Sequence, residues 1–211
     1  MENWKGDCTE DSIFTAGDSG KVVFFDVHSR EKSTTQHLKM GDAFITGLAK
    51  GRTQQHIATG NNNGKVFVGN PQTQKVGSFD CHSKIVRDLC FLEDDTKVLS
   101  ASDDAIIKMV DIPSEQIHSS FEGHKLGVTS VVAHSEDPHI FFSTSFDKFI
   151  KAWDSRVKES LGSLMTASPL WDCRSLGKNI FAGGDTGVLY CLLYTSPSPR
   201  DQRGSRMPSS A

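Results

Sequence analysis

No apolar run in this chain of 211 residues approaches the roughly 20 residues that a membrane-crossing helix requires. The N-terminal stretch MENWKGDCTE contains no apolar signal core. An excess of basic charge is also missing. Lys and Arg total 23 against 26 Asp and Glu, for a formal net charge of -3, so the electrostatic footprint of a nucleic-acid binder is absent. Neither a membrane nor nucleic acid is expected as a direct partner. The five cysteines, Cys8, Cys81, Cys90, Cys173 and Cys191, are odd in number and form no CxxC pair. That argues against a disulfide framework and points to a reduced, intracellular setting, cytoplasmic or nuclear. No stretch carries the i, i+3, i+4, i+7 apolar stripe of a helix.

What the chain does contain is a repeat. FFSTSFDKFIKAWDS (residues 141–155) consists of two short apolar runs around a polar turn, the second run ending in Trp153-Asp154. VLSASDDAIIKMVDI, IFTAGDSGKVVFFDV and IATGNNNGKVFVGN share its shape, and IFAGGDTGVLY is a fifth, shorter copy. The closing residues Asp26, Asn70, Asp111 and Asp154 are spaced 41 to 44 residues apart. A period of about 40–45 residues is that of a four-stranded propeller blade. His82 precedes Val86, and His124 precedes Val128, by the same four residues.

These motifs resemble the WD-repeat β-propeller family, whose blades place Gly-His before the first strand and Trp-Asp at the end of the third. The resemblance covers residues 1–190 and implies an all-β fold, a partial propeller of four to five blades at about 1–38, 39–80, 81–122, 123–167 and 168–190. It also implies buried structural tetrads: His124, Ser143, Asp147 and Trp153 in the fourth blade, and His82, Ser100 and Asp104 in the third, where Val110 replaces the Trp. The second blade keeps only Asn63 and Gly69-Asn70, and the first has no His. Thr15 follows Trp4 by the spacing that separates Ser100 from Leu89, which would set Met1 within a first strand. Family propellers close with seven blades, so the chain reads as a fragment of a longer product.

From Cys191 the composition turns to Ser, Pro and Arg. CLLYTSPSPRD and SRMPSSA resemble the translation of a transposase-type sequencing adaptor. Residues 191–211 are therefore expected to be a disordered, artefactual tail and are set aside.

Chemistry finds little support. His124, Ser143 and Asp147 are hydrolase-triad types, but Ser143 sits in a buried-strand pattern without GxSxG. His134 and His139 bracket a turn with no Cys nearby, which argues against zinc. AGGDTG lacks the GK[ST] and the following helix of a phosphate loop. No catalytic, cofactor or metal residue is assigned, and the chain is read as a non-enzyme. The expectation is a rigid scaffold that binds proteins or peptides on the narrow propeller face. The candidate contacts are Arg87, Phe146 and Trp171, because Phe146 occupies a turn position held by Asp103 in the preceding blade, and Arg87 and Trp171 align with Thr46 and Thr129. FEGHKLGVTSVVAH with STSFDKFIKAWD is most similar to the WD-repeat subunits of superkiller RNA-decay complexes, shared with a transcription-elongation complex. Trp153-Asp154-Ser155-Arg156 also matches the WDxR pattern of ubiquitin-ligase substrate receptors.

Overall fold

The computed structural model describes residues 5–8, 12–26, 36–53, 56–92 and 95–194. These residues form nineteen strands and no helix. The first sheet holds β1 (Lys5–Cys8), β2 (Ser12–Ala16), β3 (Lys21–Asp26) and β4 (Gln36–Lys39). The second holds β5 (Ile45–Lys50), β6 (Ile57–Asn61), β7 (Lys65–Asn70) and β8 (Lys75–Asp80). The third holds β9 (Val86–Leu92), β10 (Lys97–Ser102), β11 (Ile106–Asp111) and β12 (Gln116–Glu122). The fourth holds β13 (Val128–Ala133), β14 (Ile140–Ser145), β15 (Phe149–Asp154) and β16 (Ser160–Met165). The fifth holds β17 (Leu170–Leu176), β18 (Asn179–Gly184) and β19 (Leu189–Leu193). Every sheet is an antiparallel meander.

Each unit forms its own sheet because its second and third strands are joined by a tight turn rich in Gly, Asn and Asp. The turn needs one residue in the left-handed region, and the same position supplies it throughout: Gly20, Gly64, Ala105, Lys148 and Gly187 have φ of 66°, 83°, 68°, 70° and 70°. The first strands β1, β5, β9, β13 and β17 pack side by side in chain order. Apolar residues then fill the space between consecutive sheets. Val66, Val68 and Phe79 of the second sheet meet Val86, Leu89 and Val98 of the third. Leu99, Met109 and Phe121 of the third meet Val128, Phe141 and Trp153 of the fourth. The core is thus a series of layers, each made by two neighbours, as in other repeat architectures.

Three details depart from the sequence reading. The boundary at residue 38 cuts β4, which runs to Lys39. The boundary at residue 190 cuts β19: Cys191, Leu192 and Leu193 pair with Phe181, Ile180 and Asn179, and Leu192 and Tyr194 pack on Ile140 and Phe142. The uninterrupted apolar run Leu189–Leu193 (LYCLL) continues the pairing, so ordered structure extends past the expected start of the tail. Residues 195–211 lie outside the described residues. In the first sheet Thr15 faces Gly6, whereas Ser100 faces Leu89. The first hairpin is therefore shorter than the spacing argument assumed. Trp4 lies outside the described residues.

A candidate interaction face

The geometry of the face begins with a β-bulge repeated in four sheets. Between first and second strands, Ile45 faces Asn61 and Gly47 faces Gly60, leaving Thr46 unmatched. The same skip omits Arg87, Thr129 and Trp171. A bulge adds one residue on one strand and re-aims its side chain. Here it sets Thr46, Arg87, Thr129 and Trp171 in a row at the end of the sheets that bears the second-to-third-strand turns.

The two threonines are tied back into the fold. Thr46 Oγ1 donates to the carbonyl of Val86 at 2.5 Å, and Thr129 Oγ1 meets Thr144 Oγ1 at 3.1 Å. Arg87 and Trp171 reach outward. Arg87 is gripped by Asp103, with Nε donating to Oδ1 at 2.8 Å and Nη2 to Oδ2 at 2.7 Å. Its guanidinium lies 5.8 Å from the centre of the Phe146 ring. Phe146 meets Trp171 edge to face, with ring centres 4.9 Å apart and planes at 84°. Trp171 Nε1 donates to Asp185 Oδ1. Trp171 is 52% exposed, so it is a surface residue and not inter-sheet core. Gly127 passes beneath, where an added Cβ would lie 2.8 Å from Asp103 Oδ1 and 3.4 Å from Phe146 Cδ2. The structure therefore joins Arg87, Phe146 and Trp171, from three consecutive sheets, into one shelf bounded by Asp103 and Asp185. Of these two carboxylates, the sequence reading names Asp103 only as the residue aligned with Phe146, and does not name Asp185. The signal available was that both occupy the turn position aligned with Phe146.

Below the face lie the polar chains. In the fourth sheet Trp153 Nε1 donates to Ser143 Oγ at 2.8 Å, Ser143 Oγ meets His124 Nε2 at 2.8 Å, and His124 Nδ1 meets Asp147 Oδ2 at 2.8 Å. Asp147 also accepts the backbone N–H groups of Lys125 at 2.9 Å and Phe149 at 3.0 Å. In the third sheet His82 bridges Ser100 at 2.8 Å and Asp104 at 2.9 Å, and Val110 occupies the place of the indole. In the second sheet Asn61 Oδ1 accepts the N–H groups of Asn63 and Lys65, organising the turn without a His. Asn63, named in the sequence reading, contributes only its backbone there. Ser143 has no exposed surface, so no substrate reaches its hydroxyl. His134 Nδ1 accepts the N–H groups of Glu136 and Asp137, capping its own turn. Among the described residues no cluster of three or more ligating side chains occurs.

Charge balance in the buried chain is pH-sensitive. Burial favours the neutral ring of His124 and lowers its pKa from the ordinary 6.5, against the opposing pull of Asp147. Burial pushes the Asp147 carboxyl up, but the Lys125 N–H, His124 and the Phe149 N–H outweigh it and hold it below 3.8. Asp104 is likewise held low, burial being outweighed by His82, Ile106 and Ser83. Both kinds of shift have the same sign for stability. The unfolded chain takes up protons first, so stability from His124 is present above about pH 6.5 and declines as pH falls below it. That from Asp147 and Asp104 is present above about pH 3.9 and is lost as pH falls through their lower folded values. Denaturant titrations of the chain at pH 7 and pH 5 are expected to show lower stability at pH 5, and His124→Gln to reduce that difference. At pH 7, Asp147→Ala is expected to cost about 1–3 kcal/mol by leaving buried donors unmatched. The exposed Lys158→Ala should stay within about 0.5 kcal/mol. Asp137 is not a neutral control, since its Oδ1 accepts the His139 N–H at 3.0 Å.

Residues 73–111 and 115–154 match the sequence profile of the family described as WD domain, G-beta repeat. Each match spans the fourth strand of one sheet and the first three of the next, so the sequence repeat is staggered by one strand against the structural unit. The chain is 34% identical over 100 residues to TOPLESS-RELATED PROTEIN 2 of Oryza sativa subsp. japonica, covering 46% of this chain and 9% of that protein. It is 30% identical over 137 residues to WD repeat-containing protein SL1-17 of Schistosoma mansoni, covering 64% and 44%. A WD repeat-containing protein 55 homolog of Drosophila persimilis is 27% identical over 139 residues, covering 64% and 27%. The chain spans less than half the length of each of these relatives.

Proposed function

We propose that this WD-repeat β-propeller chain is a non-catalytic interaction scaffold whose partner, a protein or peptide, docks on the Arg87–Phe146–Trp171 shelf. The observation that carries the proposal is the shelf itself. Aromatic and arginine side chains are the usual anchors of protein interfaces, and here neighbouring sheets hold them in fixed positions. Arg87 is fixed by the two hydrogen bonds it donates to Asp103 and Trp171 by the one it donates to Asp185, so little side-chain freedom remains to be lost on binding. WD-repeat proteins generally act as protein-interaction scaffolds, which supports the same assignment. The free thiols of Cys81, Cys90, Cys173 and Cys191 support a reducing compartment, cytoplasmic or nuclear.

The complex proposed is an RNA-decay assembly of the superkiller type, or the transcription-elongation complex that shares its WD-repeat subunit. A ubiquitin-ligase receptor is the second reading. It is favoured by Arg156, whose guanidinium is held by Asp154 at 2.6 Å yet is 61% exposed at the end of the WDxR stretch. Affinity capture with the chain, its Trp171→Ala and Phe146→Ala variants, and Arg156→Ala tests both. The first reading expects helicase and helical-repeat proteins that are lost with Trp171→Ala or Phe146→Ala. The second expects ligase adaptors that are lost with Arg156→Ala. Each shelf substitution should weaken binding at least about tenfold, the hot-spot scale of 2 kcal/mol or more. Binding indifferent to all three variants would refute both readings.

A further inference from the structure

On the axial side of the sheets, the first strands of the second to fifth sheets line a cavity of about 330 Å³. It lies toward the ends of these strands remote from the shelf, with Lys50, Phe91, Ala133 and Ser175 in its wall. Its lining charges are unequal. Lys50, Arg52 and Arg174 supply three cations, Asp88 is the one carboxylate among the described residues lining it, and Asp172, paired with Arg174 at 2.8 Å, lies just outside the lining. Lys50 Nζ is withdrawn from solvent, and Ser175 Oγ is buried without a hydrogen-bond partner among the described residues. Arg174 and Cys90, from the fifth and third sheets, line this same cavity. Arg174 Nη1 is shared between Asp172 Oδ1 at 2.8 Å and the Cys173 carbonyl at 2.9 Å, so the guanidinium is positioned before any ligand arrives. Arg52 is set by its backbone N–H, which donates to the buried Asp95 at 2.8 Å.

We propose that this axial cavity binds a small, multiply charged phosphate compound. A concave site lined by an excess of one charge focuses field and concentrates ions of the opposite sign. Guanidinium and ammonium groups pair with phosphate oxygens through charge-assisted hydrogen bonds, and the Ser175 hydroxyl supplies one more donor. The volume falls at the lower end of the range for small-molecule pockets, which suits a compact polyanion. A nucleic-acid strand is disfavoured. The cations come from the inner strands and the loop beside one of them instead of forming a track along the surface, and the chain as a whole carries a net charge of -3.

Equilibrium dialysis of the full 211-residue chain against radiolabelled pyrophosphate tests the proposal. Sulfate and a short single-stranded oligonucleotide serve as competitors at matched ionic strength. Saturable binding at one site is expected, weakened about tenfold or more by Arg52→Gln and by Lys50→Gln through loss of a charge-assisted contact, and unchanged by Trp171→Ala. Because Arg52 is an exposed residue, its variant should fold even if Lys50→Gln does not. Three results would each overturn the proposal: no saturable uptake, both charge variants binding like the parent, or displacement by the oligonucleotide at lower concentration than by unlabelled pyrophosphate. The shelf reading is independent of these outcomes, since Trp171→Ala is read there by capture alone.

Discussion

Replacing Trp153 by alanine should lower the unfolding free energy by about 3–5 kcal/mol, the usual cost of deleting a buried aromatic side chain. The indole has no exposed surface. It stacks on Phe141 with ring centres 6.1 Å apart and planes at 10°, and meets Phe121 at 6.0 Å and 67°. Its removal opens a void between the third and fourth sheets and leaves Ser143 without the indole donor. Trp153→Phe separates these two effects. It keeps much of the ring contact and loses the Nε1–H, so about 1–3 kcal/mol is expected from the unmatched polar chain. Small domains are stable by roughly 5–15 kcal/mol, so the alanine variant approaches the limit of folding. Guanidinium titration followed by circular dichroism measures both, and an alanine variant with an unchanged midpoint would mean that this layer does not limit stability.

The second large effect is expected at Gly64. Alanine there should cost about 2–4 kcal/mol, combining left-handed strain with disruption of a backbone contact. Gly64 has φ of 83°, and an added Cβ would sit 2.0 Å from the His82 carbonyl oxygen and 2.9 Å from that of Lys84. The Gly64 carbonyl also accepts the His82 N–H at 2.9 Å. Relief of the clash must therefore move the residue whose ring joins Ser100 to Asp104. Gly187, at the equivalent position, meets nothing within 4 Å, so Gly187→Ala should show only the backbone strain of about 1–2 kcal/mol. Thermal unfolding of the two variants isolates the steric part. Equal losses would indicate that φ alone decides and that the approach of the next sheet's loop is unimportant. Ala105 and Lys148 hold the same turn with side chains in place, so the demand for glycine at residue 64 comes from its neighbour and not from the turn.

The polar chains were legible through the resemblance to the WD-repeat family, whose buried chains use set residue types at set positions. The His-to-strand interval, the Ser of the second strand and the Asp of the turn recur with the period of the sheets. Asp103 and Asp185 were not readable as partners, since the sequence separates Asp103 from Arg87 by a whole strand and presents Asp185 as an ordinary turn residue. Cys191–Leu193 were misplaced for a different reason. They resemble adaptor-encoded sequence and precede a Ser-, Pro- and Arg-rich stretch, yet their apolar side chains extend the run that forms β19.

By itself, the sequence determined the repeat and the all-β character, and through its family resemblance the membership of the buried chains, because strand alternation, turn residues and the 41-to-44-residue spacing are all visible along the linear chain. Only the tertiary structure decided the shelf. A β-bulge is a mismatch of count between two paired strands, so no single stretch of chain records that Arg87 and Trp171 are the unmatched residues. The contacts from Arg87 to Phe146 and from Phe146 to Trp171 each cross from one sheet to the next, and exist only because inter-sheet packing sets that spacing.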